Sequence, residues 1–209
     1  MSDSASTTQA DIETSLDFVN TFGLTHGRQF DDFSTTRQAI DWLHERTGLN
    51  PALVADSAAL LSRITRARAA FRELWDATAE ERPVDEAAIR EVNRVLRHRS
   101  VLELEVASDD TAGQGLRLAS RFTGDEVDCA LAELADPLVR AVGSAESAKA
   151  RICANDTCRW VFYDSSRTHQ RRWCEMSSCG NRAKAARHRA RAKANQSGAK
   201  QPGADLPPD

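Results

Sequence analysis

The chain is poor in the features that mark most other classes of protein. Its start, MSDSASTTQADIETS, has neither a basic opening nor an apolar run, so no secretory signal is predicted. No stretch approaches the twenty or so apolar residues that cross a bilayer, which excludes a spanning helix. There is no H-E-x-x-H, no G-x-x-x-x-G-K-[ST], no G-x-G-x-x-G and no G-x-S-x-G, so the motif-borne metalloprotease, nucleotide and hydrolase chemistries have no footing. His26, His44 and His98 are scattered and read as surface or structural histidines. A reducing, cytoplasmic and nucleoid-associated setting is expected, with no membrane partner and no catalytic role.

Cysteine is scarce, at 5 residues of 209, but four of the five are grouped. Cys153, Cys158, Cys174 and Cys179 follow C-x4-C-x15-C-x4-C, two close pairs joined by a connection long enough for a hairpin. That arrangement suits one tetrahedral, structural Zn²⁺. Two disulfides or free thiols are the competing readings, and disulfides would require an oxidising compartment. His169, between the pairs, is a competitor for one ligand position. Cys129 lies far upstream in an apolar helical pattern and reads as a core thiol.

Charge is divided unevenly along the chain. Residues 151–209 carry 12 Lys/Arg against 5 Asp/Glu, a net of +7, while residues 1–150 carry 16 against 26, a net of −10. No acidic residue occurs from Asn181 to Lys200. An acidic body with a basic, metal-bound tail points to a polyanion as the tail's partner; the alternative is a solvated charge run.

The hydrophobic periodicity predicts an α+β chain: a mostly helical body with a small β-hairpin, then a small zinc module followed by a basic helix. Residues 1–10 and 196–209 read as disordered tails, 11–148 as the body and 149–195 as the module with its helix. Helices are predicted over 36–48, over 51–81 with Pro51 at its start and Leu53 inward, over 84–98 with Ile89 inward, and from Asp125, where Pro137 should kink or divide the helix. Val101–Val106 and Leu116–Leu118 alternate and flank a loop with Asp109, Asp110, Gly113 and Gly115, a hairpin pattern. Residues 144–149 read as a hinge. Replacing Cys174 by Ser should on this view free the metal and leave the body intact.

The tail reads Cys153-x4-Cys158-Arg159-Trp160-Val161-Phe162-Tyr163-Asp164, then Arg171-Arg172-Trp173-Cys174-x4-Cys179-Gly180-Asn181-Arg182. It resembles the CGNR zinc finger, named for the run that closes it here. Leu16-Asp17-Phe18-Val19-Asn20-Thr21 resembles the LDxxNT opening of the ABATE-type domain that precedes this finger in stress-induced bacterial transcription regulators. The resemblance implies an α-rich sensor-like domain and a zinc module that binds double-stranded DNA.

Within the module, Arg159, Arg171 and Arg172 flank ligands and can offset the formal −2 charge of a zinc tetrathiolate or meet phosphates. Trp160, Phe162, Tyr163 and Trp173 read as the module's own small core rather than as stacking platforms. Gly180 is expected at positive φ and Asn181 as an N-cap through its side-chain oxygen. The DNA-contacting set is Arg171, Arg172, Arg182, Lys184, Arg187, Arg189, Arg191 and Lys193. Arg182, Arg187 and Arg189 are the expected base readers, while Lys193 and Lys200 contribute salt-sensitive affinity. Asp17, Asn20 and Thr21 either line a small-molecule pocket or make capping hydrogen bonds. The body would sense a ligand or form a homodimer. The rival from another class is a zinc-dependent protein- or RNA-binding adaptor.

Overall fold

The computed structural model describes residues 7–98, 100–107 and 115–198; the expected tails at 1–6 and 199–209, Lys200 and the tip of the predicted hairpin lie outside the described residues. Six α-helices and three two-stranded antiparallel ribbons make up the described chain. Helix α1 (Gln9–Asn20) begins inside the segment expected to be disordered, because Thr8 and Asp11 form a reciprocal capping box that satisfies its first turn. The ribbon β1 (Phe22–Thr25) and β2 (Arg28–Asp31) follows. It turns at His26-Gly27, both at positive φ (54° and 76°), the pair of left-handed residues that a two-residue hairpin needs.

Helix α2 (Thr36–Thr47) stops at Gly48, whose φ of 70° and N–H to the His44 carbonyl are those of a left-handed cap. The predicted long helix from Pro51 is two elements. Pro51–Leu53 is a single 3-10 turn, and α3 (Ala58–Ala79) starts only after Ser57, whose hydroxyl accepts from the Leu60 N–H. Leu53 is therefore 67% exposed instead of inward. Helix α4 (Glu86–Val95) buries Val92 and Val95, but Ile89 is 43% exposed, on the edge of the apolar stripe. The hairpin β3 (Ser100–Ala107) and β4 (Gly115–Phe122) pairs as the alternation predicts, with Leu104 opposite Leu118. Helix α5 (Glu126–Val142) is capped by the Asp125 side chain and runs through Pro137 undivided.

The core is built around α3, which packs against α1, α2, α4 and α5. Phe18, Phe33, Trp42 and Phe71 form an aromatic cluster with centroids 5.5–6.1 Å apart. Each fully buried side chain of this size contributes on the order of 2 kcal/mol. Arg68 is buried beside the cluster, bonded at 2.8 Å by both guanidinium nitrogens to Asp31 and stacked on Phe22 and Phe33.

The largest departure from the sequence expectation concerns the join at residues 144–149. Ala145–Lys149 is a 3-10 turn capped by Ser144, and Lys149 bonds Glu146 and the Tyr163 hydroxyl, so the segment is braced where a hinge was predicted. The ribbon that follows, β5 (Ala150–Ile152) and β6 (Val161–Tyr163), places Ala150, Val161 and Tyr163 in the same buried cluster as the helices. Asn20 seals this seam. Its amide donates to the Val161 carbonyl at 2.9 Å, and its side-chain oxygen accepts from the Val161 N–H at 3.1 Å. The Trp75 indole N–H reaches the Arg151 carbonyl at 3.3 Å beside it.

Asn20→Ala would strand both Val161 backbone groups in a buried place, at about 2–3 kcal/mol. For a chain of this size we expect Tm to fall by about 5–10 °C, read by circular dichroism; a shift within 2 °C would contradict the role given to Asn20.

Candidate metal centre

The first cysteine knuckle grows directly from the docked ribbon. Cys153 directly follows β5 and its N–H bonds the Trp160 carbonyl at 2.8 Å; between them the chain turns back at Asn155, whose carbonyl accepts from Cys158 N–H (2.8 Å) and Arg159 N–H (3.0 Å). Asn155 also caps Thr157 and directs its side-chain amide at Cys179 Sγ, 3.5 Å away, which ties the two knuckles together. Arg159 leaves the knuckle in the left-handed region (φ 56°). Its carbonyl then meets Arg72 at 2.7 Å, and its guanidinium pairs with Glu80 at 2.9 Å. Gly27 N–H to the Thr157 carbonyl (3.0 Å) adds a further bond from β1–β2.

The connection to the second knuckle is organised by Asp164, which is wholly buried. One carboxylate oxygen takes the Ser166 N–H and hydroxyl, the other takes the Arg171 N–H at 2.8 Å, and its carbonyl takes His169 Nδ1. Burial opposes ionisation, but these donors and the nearby Arg151 cation hold the carboxyl below its ordinary range. His169 is thereby engaged with the backbone and stands outside the thiol cluster, as the four-cysteine shell implied.

The second knuckle closes through a π turn at Met176–Gly180, and α6 (Asn181–Gly198) leaves it directly. Two local expectations are corrected here. Gly180 is not at positive φ; a Cβ there would crowd Trp173 at 3.3 Å and require the exposed Met176 side chain to move. Asn181 does not cap with its oxygen; its amide donates to the Ser177 carbonyl at 3.0 Å.

The four Sγ atoms lie within 4.8 Å of one another, with Cys158–Cys174 and Cys174–Cys179 each at 3.8 Å. A tetrahedron with Zn–S bonds of about 2.3 Å has edges of about 3.8 Å; the two shortest separations already have that length, and the quartet suits one Zn²⁺. No disulfide joins them, and Cys129 is a separate buried thiol whose ionisation is suppressed by burial. The thiols are poor acids by themselves. Burial and the neighbouring sulfurs push Cys158 up to about 11 and Cys174 further still. Cys179 is also buried, yet the Asn155 amide and adjacent thiols bring it below the ordinary value. A dication is what makes four thiolates together affordable.

Phe162 is buried against Cys153 and Cys179, and Trp160 and Trp173 are half-buried around them, so three of the four aromatics form the module's core. Tyr163 belongs instead to the body's core. Arg171 stacks on Phe162, 4.9 Å from its centroid, and donates to the Cys174 carbonyl at 2.6 Å; Arg172 stacks on Trp173 at 5.3 Å. Both brace the module while staying exposed, and α6 adds a further basic surface. Arg182, Lys184, Arg187, Arg189, Arg191 and Lys193 are all exposed there.

Asp17, Asn20 and Thr21 each have partners within the fold. Asp17 pairs with Arg46 on the surface at 3.3 Å, Asn20 holds Val161, and Thr21 donates to the Phe18 carbonyl while accepting from Arg68. The buried Asn20 and Thr21 are engaged in hydrogen bonds inside the fold, which favours the structural reading for these two; Asp17 stays on the surface. Asn155 and Arg72 were not singled out from the sequence. The only local cue was Asn155's place inside the first C-x4-C, and Arg72 gave none.

An α-rich body carrying a four-cysteine module and a basic helix has the architecture of a zinc-finger protein. Residues 13–145 match the ABATE family, described as "Putative stress-induced transcription regulator", and residues 149–192 match the CGNR zinc finger. The first match spans more than half of the chain, which therefore belongs to the ABATE family. A comparison with curated proteins finds no match.

Cys174→Ser removes one ligand from the shell. Zinc per chain should fall from one to under about a tenth in metal analysis of dialysed protein; stoichiometric zinc in this variant would show that the shell is built otherwise.

Proposed function

We propose that the protein is a transcription regulator that binds double-stranded DNA through α6, presented by the zinc module. The observation that carries this is the helix itself. Residues 181–194 hold six Lys/Arg and no acid, and all six are exposed. Such a helix repels itself along its length and gains most from a partner that neutralises it. The body, at −10, would keep the polyanion off every other surface.

The zinc is structural on this reading, since four thiolates leave no coordination position for water or substrate. A complete shell and the description of the family both support a non-enzymatic role. Regulation would enter through the body. The groove between α3 and α4, about 830 Å³ and lined by Arg66, Glu73, Arg82 and Glu91 among others, is open to a ligand or a second copy of the chain. A homodimer would enlarge the contact that one small module makes with a duplex.

Genomic fragments retained by the zinc-loaded full chain at about 150 mM salt test the proposal, because nonspecific charge binding is weak there. We expect one enriched motif and an affinity whose logarithm falls with log salt at a slope of about 5, for six neutralised phosphates. Retention of no fragment, with RNA or a protein captured in its place, would transfer the protein to the adaptor class.

A further inference from the structure

At 3.6 residues per turn the cations of α6 fall into two opposed stripes. Arg182, Arg189 and Lys193 lie within about 40° of one another around the axis. Lys184, Arg187 and Arg191 lie within about 60°, centred about 170° away. A flat anionic membrane would reward cations on one flank with an apolar face opposite them, and α6 has no apolar face beyond alanine. Two opposed stripes instead match a groove with a phosphate wall on each side. The B-form major groove is about 12 Å wide and a helix with its side chains about 10–12 Å across. The A-form major groove of RNA is too narrow for it.

The edges between the stripes differ. Ala183 is half-buried against the module, so its edge is partly occupied. About 180° from it run Asn181, Ala185, His188 and Ala192 at steps of four, three and four. Asn181 is held by the Ser177 carbonyl. His188 is exposed, and alanines at three before and four after it leave its ring clear to reach outward. Resting on the DNA-binding reading above, we propose that α6 lies lengthwise in the major groove with its two stripes on opposite phosphate walls, and that His188, rather than an arginine, addresses base edges at the floor. The arginines expected from sequence to read guanine then serve as clamps.

The test uses the full zinc-loaded chain with the duplex it selects, the same sequence as duplex RNA, and phosphatidylserine vesicles. Two triple variants, R182Q/R189Q/K193Q and K184Q/R187Q/R191Q, each remove one stripe, and zinc content checks that each is folded. Each should lower the salt slope by about 2.7 and weaken binding about 100-fold at 0.15 M salt. H188A should keep the wild-type slope and relax the selected motif. If only one triple variant weakens binding, if H188A selects the unchanged motif, or if RNA or vesicles bind as tightly as DNA, the groove assignment is wrong. Absence of any duplex affinity in the wild type would instead remove the DNA-binding reading itself.

Discussion

Four thiolates confined within 4.8 Å of one another repel too strongly to persist without a cation among them. That constraint orders everything from residue 150 onward. The two knuckles have few apolar side chains of their own, and their turns are held by single residues: Asn155 in the first, Asp164 in the connection, Gly180 in the second. Zinc converts a set of individually weak turns into one rigid object.

Rigidity matters because of where the object is attached. The ribbon β5–β6 belongs to both units: one end of it opens the first knuckle, while Ala150, Val161 and Tyr163 complete the body's core. Asn20, Trp75, Arg72, Glu80 and Gly27 all bond across the seam. The metal centre is therefore an extension of the fold rather than a bead on a string. The hinge expected from the polar stretch at 144–149 is instead bridged by this shared core. What projects is α6, whose direction is fixed at its root by the π turn and by Asn181.

The sequence was most informative where geometry is local. Cysteine spacing, the Ala-rich basic run, the alternation in β3 and β4 and the apolar stripe of α3 each depend on neighbours a few residues apart, and the structure has them. It was least informative where partners lie far away along the chain. Asn20 meets Val161 across 141 residues, and Arg72 meets Arg159 across 87. An asparagine near a helix end gives no hint that it is spent on a distant backbone. Element boundaries failed for a related reason. Pro51 suits a helix start by its fixed φ, but Ser57 offers a side-chain acceptor to the first free N–H groups, and the cap decided the outcome. Arg171 was open to two readings from the sequence, support of the metal site or phosphate contact, and its stack on Phe162 bears out the first.

The claim on which the rest turns is that the metal centre and the helical body are one cooperative unit. Hydrogen exchange of the full chain, before and after zinc is stripped by a chelator, addresses it directly. Exchange should accelerate in residues 150–182 and also at the end of α1 around Asn20 and in α3 around Trp75. Acceleration confined to residues 150–182, with α1 and α3 as protected as before, would contradict the account and restore the finger to independence.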